Sequence, residues 1–321
     1  MFSLYLKQKR IERNLTQSNL AAQLNLYSEG FQKLDSVTIS RWERGTTSPP
    51  IYKAIQVARF FELDIFDLLL NLSVDSKEKK YEDLLLSQFN SYSSKIKTVS
   101  YDSNNEKIDI ELIQKSLDID NGYERFASAI EQYYHSLDFQ DEKENIESID
   151  IPLLHSRNKC DIYRYSNLHN NKKSGHNLNF YYLVDDIKNE LRSKKTNISL
   201  TNTTSYTKTK EDMALYNYSS FSIDKDTFNY LNYNILVNLA RKSNITMYYV
   251  KTYGKDMFTH LIYLGFQIEC YGVKSDTGEF NVGNISYREC ILSINTSLLL
   301  ANKEVLRFMQ EQHNKAYFSE K

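Results

Sequence analysis

The chain has 321 residues, a formal net charge of −1 and three cysteines. This length allows two or three domains, and the near-zero charge excludes a polybasic protein that coats DNA indiscriminately. Three cysteines without paired spacing are typical of a reducing cytoplasm. We find no leader segment and no apolar run long enough to span a bilayer, so we expect a cytoplasmic protein without membrane contact.

Short helices are predicted throughout the first seventy residues. Thr16 is placed to cap the second of them, and Pro49-Pro50 must precede the last, because proline is not tolerated inside a helix. Apolar residues recur at helical spacing in these segments and predict a common core: Leu6 and Ile11; Leu20, Ala21 and Leu24; Ile51, Ala54, Ile55 and Ala58.

Between these helices lies a further short helix with both of its ends marked. Asp35 or Ser36 can cap its first turn, and Gly45 stands where a helix leaves through a left-handed residue. Ile39 and Trp42 are three residues apart and face inward together. The opposite, outward face is small and polar with one long cation, which suits the floor of a DNA major groove.

These elements, in this order, resemble the lambda repressor/Cro family of helix-turn-helix domains, also called the XRE family. The resemblance rests on Leu15-Thr16-Gln17, on Leu20-Ala21, on the segment from Ile39 to Gly45 and on the closing segment from Phe61 to Leu68. It implies an all-α domain over residues 1–72 that binds a double-stranded DNA operator, usually as a dimer.

The resemblance also implies roles for individual residues. Base edges are read by Ser36, Val37, Thr38 and Arg41, and Gln17 meets a phosphate. From their chemistry, Thr46, Thr47, Ser48 and Lys53 are further candidates for phosphate contacts, which position the protein without specifying sequence. Glu43 is interpreted as a structural partner of Arg10 or Arg13.

One segment departs from the family pattern. Asn25 to Leu34 is longer than the usual tight turn before the recognition helix. It is either a lengthened surface turn that tucks Phe31 and Leu34 onto the core, or an extra contact to the DNA backbone or to a dimer partner through Lys33.

Residues 73–155 are interpreted as a helical connector. Asp75 to Lys80 is a charge run, helical patterns begin at Tyr81 and recur from Ile108 to Ile113 and from Tyr123 to Leu137, and Asp138 to Asp150 is an acidic loop.

From residue 156 to 321 the pattern predicts a mixed α/β domain, with strands and helices alternating late in the chain. The predicted strands are Cys160–Tyr165, Ile198–Thr207, Met213–Ile223, Ile245–Val250, Phe266–Val273 and Tyr287–Ile294. The predicted helices are Phe180–Leu191, Phe228–Ala240 and Lys255–Leu264, and a polar turn is predicted over Asn170–Gly175.

The segment Met247 to Glu269, with its ending Leu264-Gly265-Phe266 and the final strand, resembles the penultimate strand-helix-strand of the GNAT acetyltransferase superfamily. That family cradles a pyrophosphate in a glycine-containing turn. The matching turn here, Ser222 to Phe228, has no glycine and carries Asp224 and Asp226. The family's frequent tyrosine acid is replaced by Leu261, and Tyr263 is out of phase.

We therefore predict no catalytic residue, no acetyl-CoA and no other cofactor. Cys160, His169 and His176 have no zinc-ligand spacing, so we predict no metal. The chain is expected to be a homodimeric transcriptional regulator whose GNAT-like domain serves dimerisation or binds a small-molecule or protein ligand. The alternatives are an N-acetyltransferase targeted to DNA or to a partner, and an antitoxin-like protein that binds a partner.

Overall fold

The computed structural model describes residues 2–62, 64–74, 81–83, 85–86, 89, 113–116, 149–167, 173–192, 196–208, 211–222, 225–276 and 280–319. The chain begins with five α-helices and a single 3-10 turn. The helices are α1 (Phe2–Glu12), α2 (Gln17–Tyr27), α3 (Ser36–Arg44), α4 (Ile51–Phe61) and α5 (Phe66–Leu70), and the 3-10 turn is Glu29–Phe31.

The first four helices surround a small apolar core. The buried side chains at its centre come from every one of these helices and from the 3-10 turn: Leu6, Leu20, Ala21, Leu24, Phe31, Ile39, Trp42, Val57 and Phe61. The predicted packing of Ile11 is wrong, because its side chain is exposed at the last turn of α1. The neighbouring Arg10 and Arg13 take the inward contacts there instead.

The rest of the described chain alternates strands and helices. The strands are β1 (Ile113–Ser116), β2 (Cys160–Asn167), β3 (Lys173–Leu183), β4 (Met213–Ser222), β5 (Ile245–Thr252), β6 (Gln267–Tyr271), β7 (Phe280–Val282), β8 (Ile285–Tyr287) and β9 (Cys290–Asn295). The helices are α6 (Ile151–Ser156), α7 (Val184–Arg192), α8 (Lys225–Arg241), α9 (Lys255–Tyr263), α10 (Thr296–Ala301) and α11 (Lys303–Ser319).

Seven of these strands form one mixed sheet in the order β1-β2-β3-β4-β5-β9-β6, and β7 and β8 form a separate hairpin. Only β4 and β5 run parallel in the described sheet, and α8 is the crossover between them. The predicted fold class, a helical N-terminal region followed by a mixed α/β domain, is confirmed. β1 lies within the segment that was predicted to be a connector, and it extends the sheet through its pairing with β2.

Helices and loops cover both faces of the sheet. One face packs against α8, α9, α10 and α11 around Leu215, Val250 and Leu292. The other packs against α6, α7 and the 196–200 loop around Phe180, Tyr216 and Ile291. Burial on both faces explains why the central strands lack a clean apolar–polar alternation.

Helices α4 and α5 also contribute to the apolar core on one face of the sheet domain. Ile55 and Ala58 of α4 and Phe66 and Leu69 of α5 are buried in the same cluster as the residues of α8, α10 and α11. The predicted boundary at residue 72 therefore follows two helices that already contact the sheet domain. The division of the chain at 72 and 155 remains a prediction.

Hydrogen bonds reinforce this joint. The Ile65 amide donates to the Ala240 carbonyl at 3.0 Å. The Gln310 side-chain amide of α11 donates to the carbonyls of Leu69 and Leu72 at 2.8 and 2.9 Å. The two bonds from Gln310 tie α11 to the end of α5 and to the residue that follows its cap.

Several predicted elements differ from the structure. Phe180 to Leu183 completes β3, so the predicted helix begins only at Val184. Ile198–Thr207 is not a strand but a loop that contains a 3-10 turn at Leu200–Asn202. The last residues of the predicted polar turn, 173–175, belong to β3, whereas 170–172, the charge run 75–80, the helix 123–137 and most of the acidic loop lie outside the described residues.

Candidate nucleic-acid interface

Helix α3, the predicted recognition helix, is held at both ends by the residues that its sequence suggests. The Asp35 carboxylate accepts a hydrogen bond from the Thr38 amide at 2.7 Å. Gly45 has φ 70°, and its amide donates to the carbonyls of Arg41 and Trp42. Thr46 adds a bond from its amide to the Arg41 carbonyl at 3.1 Å. The helix is therefore fixed in length and direction by its own termini.

The inner face of α3 sets which residues point outward. Ile39 and Trp42 are buried in the helical core. Val37 is 52% exposed and Arg41 is exposed, whereas Ser36 and Thr38 are half-buried. The four predicted base-reading residues thus lie on or beside the solvent face, and their contact with bases remains a prediction.

Thr38 also stabilises the N-terminal cap of α3. Hydrogen bonds from its side chain and from its amide lower the pKa of Asp35, which stays ionised as a cap. With its hydroxyl engaged in this way, Thr38 presents its methyl group as the remaining contact for a thymine methyl.

A buried ion pair fixes α3 to α1 and α2. The Arg10 guanidinium donates to both carboxylate oxygens of Glu43, at 2.5 and 3.0 Å, and the Gln17 side-chain amide donates to Glu43 at 2.7 Å. Burial tends to raise the pKa of Glu43, but the hydrogen bonds from Arg10 and Gln17 and the charge of Arg10 hold it below its usual value. The interpretation of Glu43 as a partner of Arg10 is confirmed.

Gln17 occupies the first turn of α2, next to the Thr16 cap. Its side chain is half-buried and bonds to Glu43, so in the protein without DNA it positions α3. The predicted phosphate contact of Gln17 remains a prediction.

The lengthened segment before α3 packs against the core. Phe31 is buried, and Leu34 packs against the same cluster. The Asn25 side chain accepts from the Leu34 amide and donates to its carbonyl, at 3.2 and 2.9 Å, which closes the segment into a loop. The interpretation of Phe31 and Leu34 as core residues is confirmed.

Lys33 lies at the exposed corner of this loop with φ 74°, the left-handed region that lysine seldom adopts. The turn therefore displays Lys33 at the surface in one fixed backbone conformation. Its contact with DNA or with a partner remains a prediction.

The residues that follow α3 include the remaining predicted phosphate contacts. Thr46, Thr47 and Ser48 are exposed, and the Thr46 hydroxyl donates to the Arg41 carbonyl at 3.1 Å. Lys53 is half-buried, with its ammonium 6.0 Å from the centre of the Phe31 ring. Hydroxyl and ammonium groups of this kind suit phosphate oxygens, and these four contacts also remain predictions.

The cations of the helical region fall into two groups. Lys9 pairs with Glu62 at 3.1 Å, Arg10 pairs with Glu43, and Arg13 donates to the Phe61 carbonyl. By contrast, Lys33 and Arg41 form no ion pair with the residues that the structure describes. The first group holds the helices together, and the second leaves its charge available to a polyanion.

Arg44 belongs to the second group and was missed at the sequence level. It is exposed, and it lies three residues after Arg41 on α3, with its Nε donating to the Ser40 carbonyl at 3.3 Å. Helical spacing from Arg41 could have identified it, because residues three apart are neighbours on a helix surface.

Residues 6–68 match the family model described as Helix-turn-helix. The XRE-type helix-turn-helix part of the predicted resemblance is therefore confirmed, and it points to a DNA-binding regulator. The match covers less than a quarter of the chain, so it says nothing of the sheet domain. No curated protein matches the chain.

The sheet domain contains the strand-helix-strand unit that carries the resemblance to acetyltransferases, built from β5, α9 and β6. Leu261 is buried, and the Tyr263 hydroxyl donates to Glu304 of α11 at 3.0 Å. Ser222 ends β4 and Lys225 begins α8, so the turn that would meet a pyrophosphate lies between them, partly outside the described residues.

Cys160 and His176 do not meet as metal ligands would. Cys160 pairs with Phe180 in the β2–β3 ladder, whereas His176 pairs with Arg164, further along β2, and its ring bonds to Ser219 at 2.8 Å. Within the described parts of the chain, no group of His, Cys, Asp and Glu is arranged to hold a metal ion, and no helix is long and apolar enough to cross a membrane.

Proposed function

We propose that this protein is a sequence-specific, DNA-binding transcriptional regulator that acts in the cytoplasm. The observation that carries the proposal is the fixed outward presentation of Val37 and Arg41 on a helix whose ends and inner face are all held by the fold. A surface that is rigid before binding loses little conformational entropy on contact with DNA.

The side chains on this face have the chemistry to read base edges. An arginine can donate two hydrogen bonds to a guanine, and the methyl groups of Val37 and Thr38 can touch thymine methyls. Each good contact of this kind discriminates by about 1–3 kcal/mol. Contacts to DNA phosphates from Lys33, from Arg44 and from residues 46–48 would add affinity without sequence preference.

A single domain of this size contacts few base pairs. Proteins of this docking geometry bind as two-fold dimers that read two half-sites about one helical turn apart. We therefore propose a homodimer on a palindromic operator.

For the sheet domain we propose a non-catalytic role in sensing and dimerisation, on a GNAT-like fold. The parallel pairing of β4 and β5 reaches only Asn217 and Val250, while both strands continue beyond those residues. Ligands of open α/β sheets bind at the carboxyl ends of parallel strands, which supports a small-molecule site at this divergence.

Selection from a random DNA library tests the proposed sequence-specific binding directly. The full-length protein should enrich one palindromic sequence, and Val37→Ser should change the preferred base at one position of each half-site. Leu153→Ser, at an exposed position of α6, is the matched control and should enrich the wild-type sequence. A library that remains unenriched would exclude sequence-specific binding.

Acetyl-CoA titration into the purified protein, followed by native mass spectrometry, tests the non-catalytic proposal. Because the turn Ser222 to Phe228 lacks glycine and carries two carboxylates, we expect no bound acetyl-CoA. A stoichiometric adduct that transfers its acetyl group to an amine would establish the acetyltransferase alternative instead.

A further inference from the structure

Six polar side chains lie side by side on one face of the central sheet, and we call them the amide array. Its members form two rows across β2, β3 and β4: Asp161, Asn179 and Asn217 in the inner row, and Tyr163, Asn177 and Ser220 in the outer row. Residues that pair across neighbouring strands share a face of the sheet. The same face carries Tyr181 and Leu215, which belong to the apolar cluster that includes α8. The array therefore interrupts a largely apolar face.

The asparagines at the centre of the array bond to one another. The Nδ2 atom of Asn217 lies 3.1 Å from Asn177 Oδ1 and 2.8 Å from Asn179 Oδ1, and it lies 2.9 Å from the Ser220 hydroxyl. An amide nitrogen has two hydrogens, so it cannot fully serve three acceptors. These bonds leave the Nδ2 groups of Asn177 and Asn179 without a partner among the described residues. The three asparagines are nevertheless between 1% and 9% exposed.

Two acceptors of the array are also unused. Three neighbouring side chains donate hydrogen bonds to the Oδ2 atom of Asp161: Tyr181, Asn238 and Lys242. The other oxygen of Asp161 and the Oδ1 atom of Asn217 accept no hydrogen bond from the residues that the structure describes. The array thus offers two donor groups and two acceptors. Because a buried polar group without a partner is costly, such a set needs a ligand or ordered water to satisfy it.

The unused groups are accessible and widely spaced. Polar atoms that are fully enclosed and have no partner occur elsewhere in the described chain, at the Tyr249 hydroxyl for example, but not in this array. The unused groups therefore keep contact with solvent. Asp161 and Asn217 lie two strands apart, a distance of roughly 9–10 Å at the usual strand spacing. A single water molecule cannot bridge that distance, whereas a ring that carries several polar groups can.

We propose that the amide array binds an uncharged monosaccharide. The Lys242 ammonium lies 3.0 Å from Asp161 and balances the only carboxylate of the array, and the other five members are neutral. A phosphate or an amino acid would therefore find no unpaired charge among them. A sugar hydroxyl both donates and accepts, so a ring of hydroxyls can satisfy the free amide groups and the free oxygens together.

The layout of the array favours a sugar over a flat nucleobase. The two rows are separated by two residues along β3, or roughly 6.6 Å, so the unused groups form a two-dimensional set. A flat base presents its polar groups along straight edges, whereas a sugar presents hydroxyls all round its ring. Tyr163, half-buried in the outer row, adds an aromatic side chain of the kind that lines ligand sites.

The inference deepens the proposed sensing role of the sheet domain and rests on it. Asn217 is the last residue of β4 that pairs with β5, so the array adjoins the point where the two parallel strands diverge.

Ligand-observed NMR on the full-length protein is the first test, with D-glucose, D-galactose, D-mannose, D-ribose and N-acetyl-D-glucosamine as probes. At least one of these sugars should bind with a dissociation constant of about 10 mM or tighter. Its phosphorylated form and uracil should bind more weakly. The absence of binding by every sugar, or equal binding of the phosphorylated form or of uracil, would overturn the inference.

A substitution at the centre of the array locates the bound sugar. Asn179→Leu keeps a similar volume but removes the donor, and it should weaken sugar binding by about 10-fold or more. Asn281→Leu, at an exposed asparagine of the β7–β8 hairpin, is the control and should bind the sugar as wild type does. A folded Asn179→Leu variant that binds the sugar as tightly as wild type would contradict the assigned site.

A crystal structure of the wild-type protein with the sugar tests the site even if Asn179→Leu does not fold. The sugar hydroxyls should lie within hydrogen-bonding distance of the Nδ2 groups of Asn177 and Asn179. Ordered water alone at these groups, or a sugar bound elsewhere, would overturn the inference.

Operator selection, measured separately, keeps this inference apart from the proposed DNA-binding function. A protein that selects an operator but binds no sugar would overturn the assignment of the amide array alone. A protein that binds a sugar at the array but selects no DNA sequence would overturn the proposed DNA-binding function and leave the sugar site standing.

Discussion

Helices α3 and α4 are neighbours in the helical region, yet they present their arginines to opposite surroundings. Arg41 of α3 is exposed and forms no ion pair with any residue that the structure describes. Arg59 of α4 is 8% exposed and donates to the hydroxyls of Thr296 and Ser297 at 2.7 and 2.8 Å. One arginine is available to a ligand, and the other is committed to the joint with the sheet domain.

Arg59 is unusual for a buried arginine, because its described hydrogen-bond partners are all uncharged. Burial lowers the pKa of Arg59 to about 10, so it remains a cation at neutral pH. Thr296 in turn donates to the Ile245 carbonyl at the start of β5, which links α4 to the centre of the sheet. The difference between the two helices teaches that α3 leaves an arginine exposed on its outer face, whereas α4 uses a buried arginine to connect the helical region to the sheet domain.

The largest expected effect comes from the shared interior of the helical region. Trp42→Ala removes the large buried side chain on the inner face of α3, and should lower the free energy of unfolding by about 3–5 kcal/mol. Denaturant unfolding measures this loss, and operator binding should fall with it. Arg41→Ala, one residue earlier but on the outer face, is the control and should unfold like wild type. Equal losses in the free energy of unfolding for both variants would contradict the division of α3 into a buried inner face and an exposed outer face.

Substitutions in the contact between α4 and the sheet domain should have the next largest effect on stability. Arg59→Ala removes the hydrogen-bond donor to two buried hydroxyls and leaves an unfilled space. We therefore expect a loss of roughly 2–4 kcal/mol in the free energy of unfolding. Arg59→Met fills the space without burying a charge and should lose less. Unfolding in denaturant separates the two variants. An alanine variant as stable as wild type would show that α4 does not depend on this contact.

The Arg10–Glu43 pair makes the placement of α3 sensitive to acid. The pKa of Glu43 in the folded protein lies below its usual value, so its stabilisation is complete above the unfolded pKa and is lost as pH falls through the folded pKa. Glu43→Gln should therefore flatten the decline of stability in this acidic range. Melting temperatures at a series of pH values test this, with Glu29→Gln on the exposed loop as control, and parallel curves for wild type and Glu43→Gln would refute it.

Lys33 should give the smallest effect. If this exposed loop residue meets a phosphate, Lys33→Ala should weaken binding equally for all sequences and reduce the slope of log affinity against log salt by about 1. Binding titrations over several salt concentrations measure this slope, with Lys303→Ala on α11 as control. An unchanged slope would assign the lengthened segment a purely structural role through Phe31 and Leu34.

Local signals made the recognition helix predictable. Asp35, Gly45 and Pro49-Pro50 act within a few residues of the helix ends they mark, and the spacing of Ile39 and Trp42 sets the inner face. β3 was missed because buried polar residues, His176, Asn177 and Asn179, interrupt the apolar pattern of a central strand. The sequence also carries no local sign of the Arg59 contact, since its partners Thr296 and Ser297 lie 237 and 238 residues away.

The most direct test of DNA reading by α3 is the discrimination of Arg41→Ala between the selected operator and the same DNA with its contacted guanine replaced. Wild type should prefer the operator by roughly 5- to 150-fold over that change, and Arg41→Ala should bind both sequences alike. Arg157→Ala, an exposed arginine after α6, should keep the wild-type preference. If Arg41→Ala still discriminates at every base pair as wild type does, α3 does not read DNA through this residue.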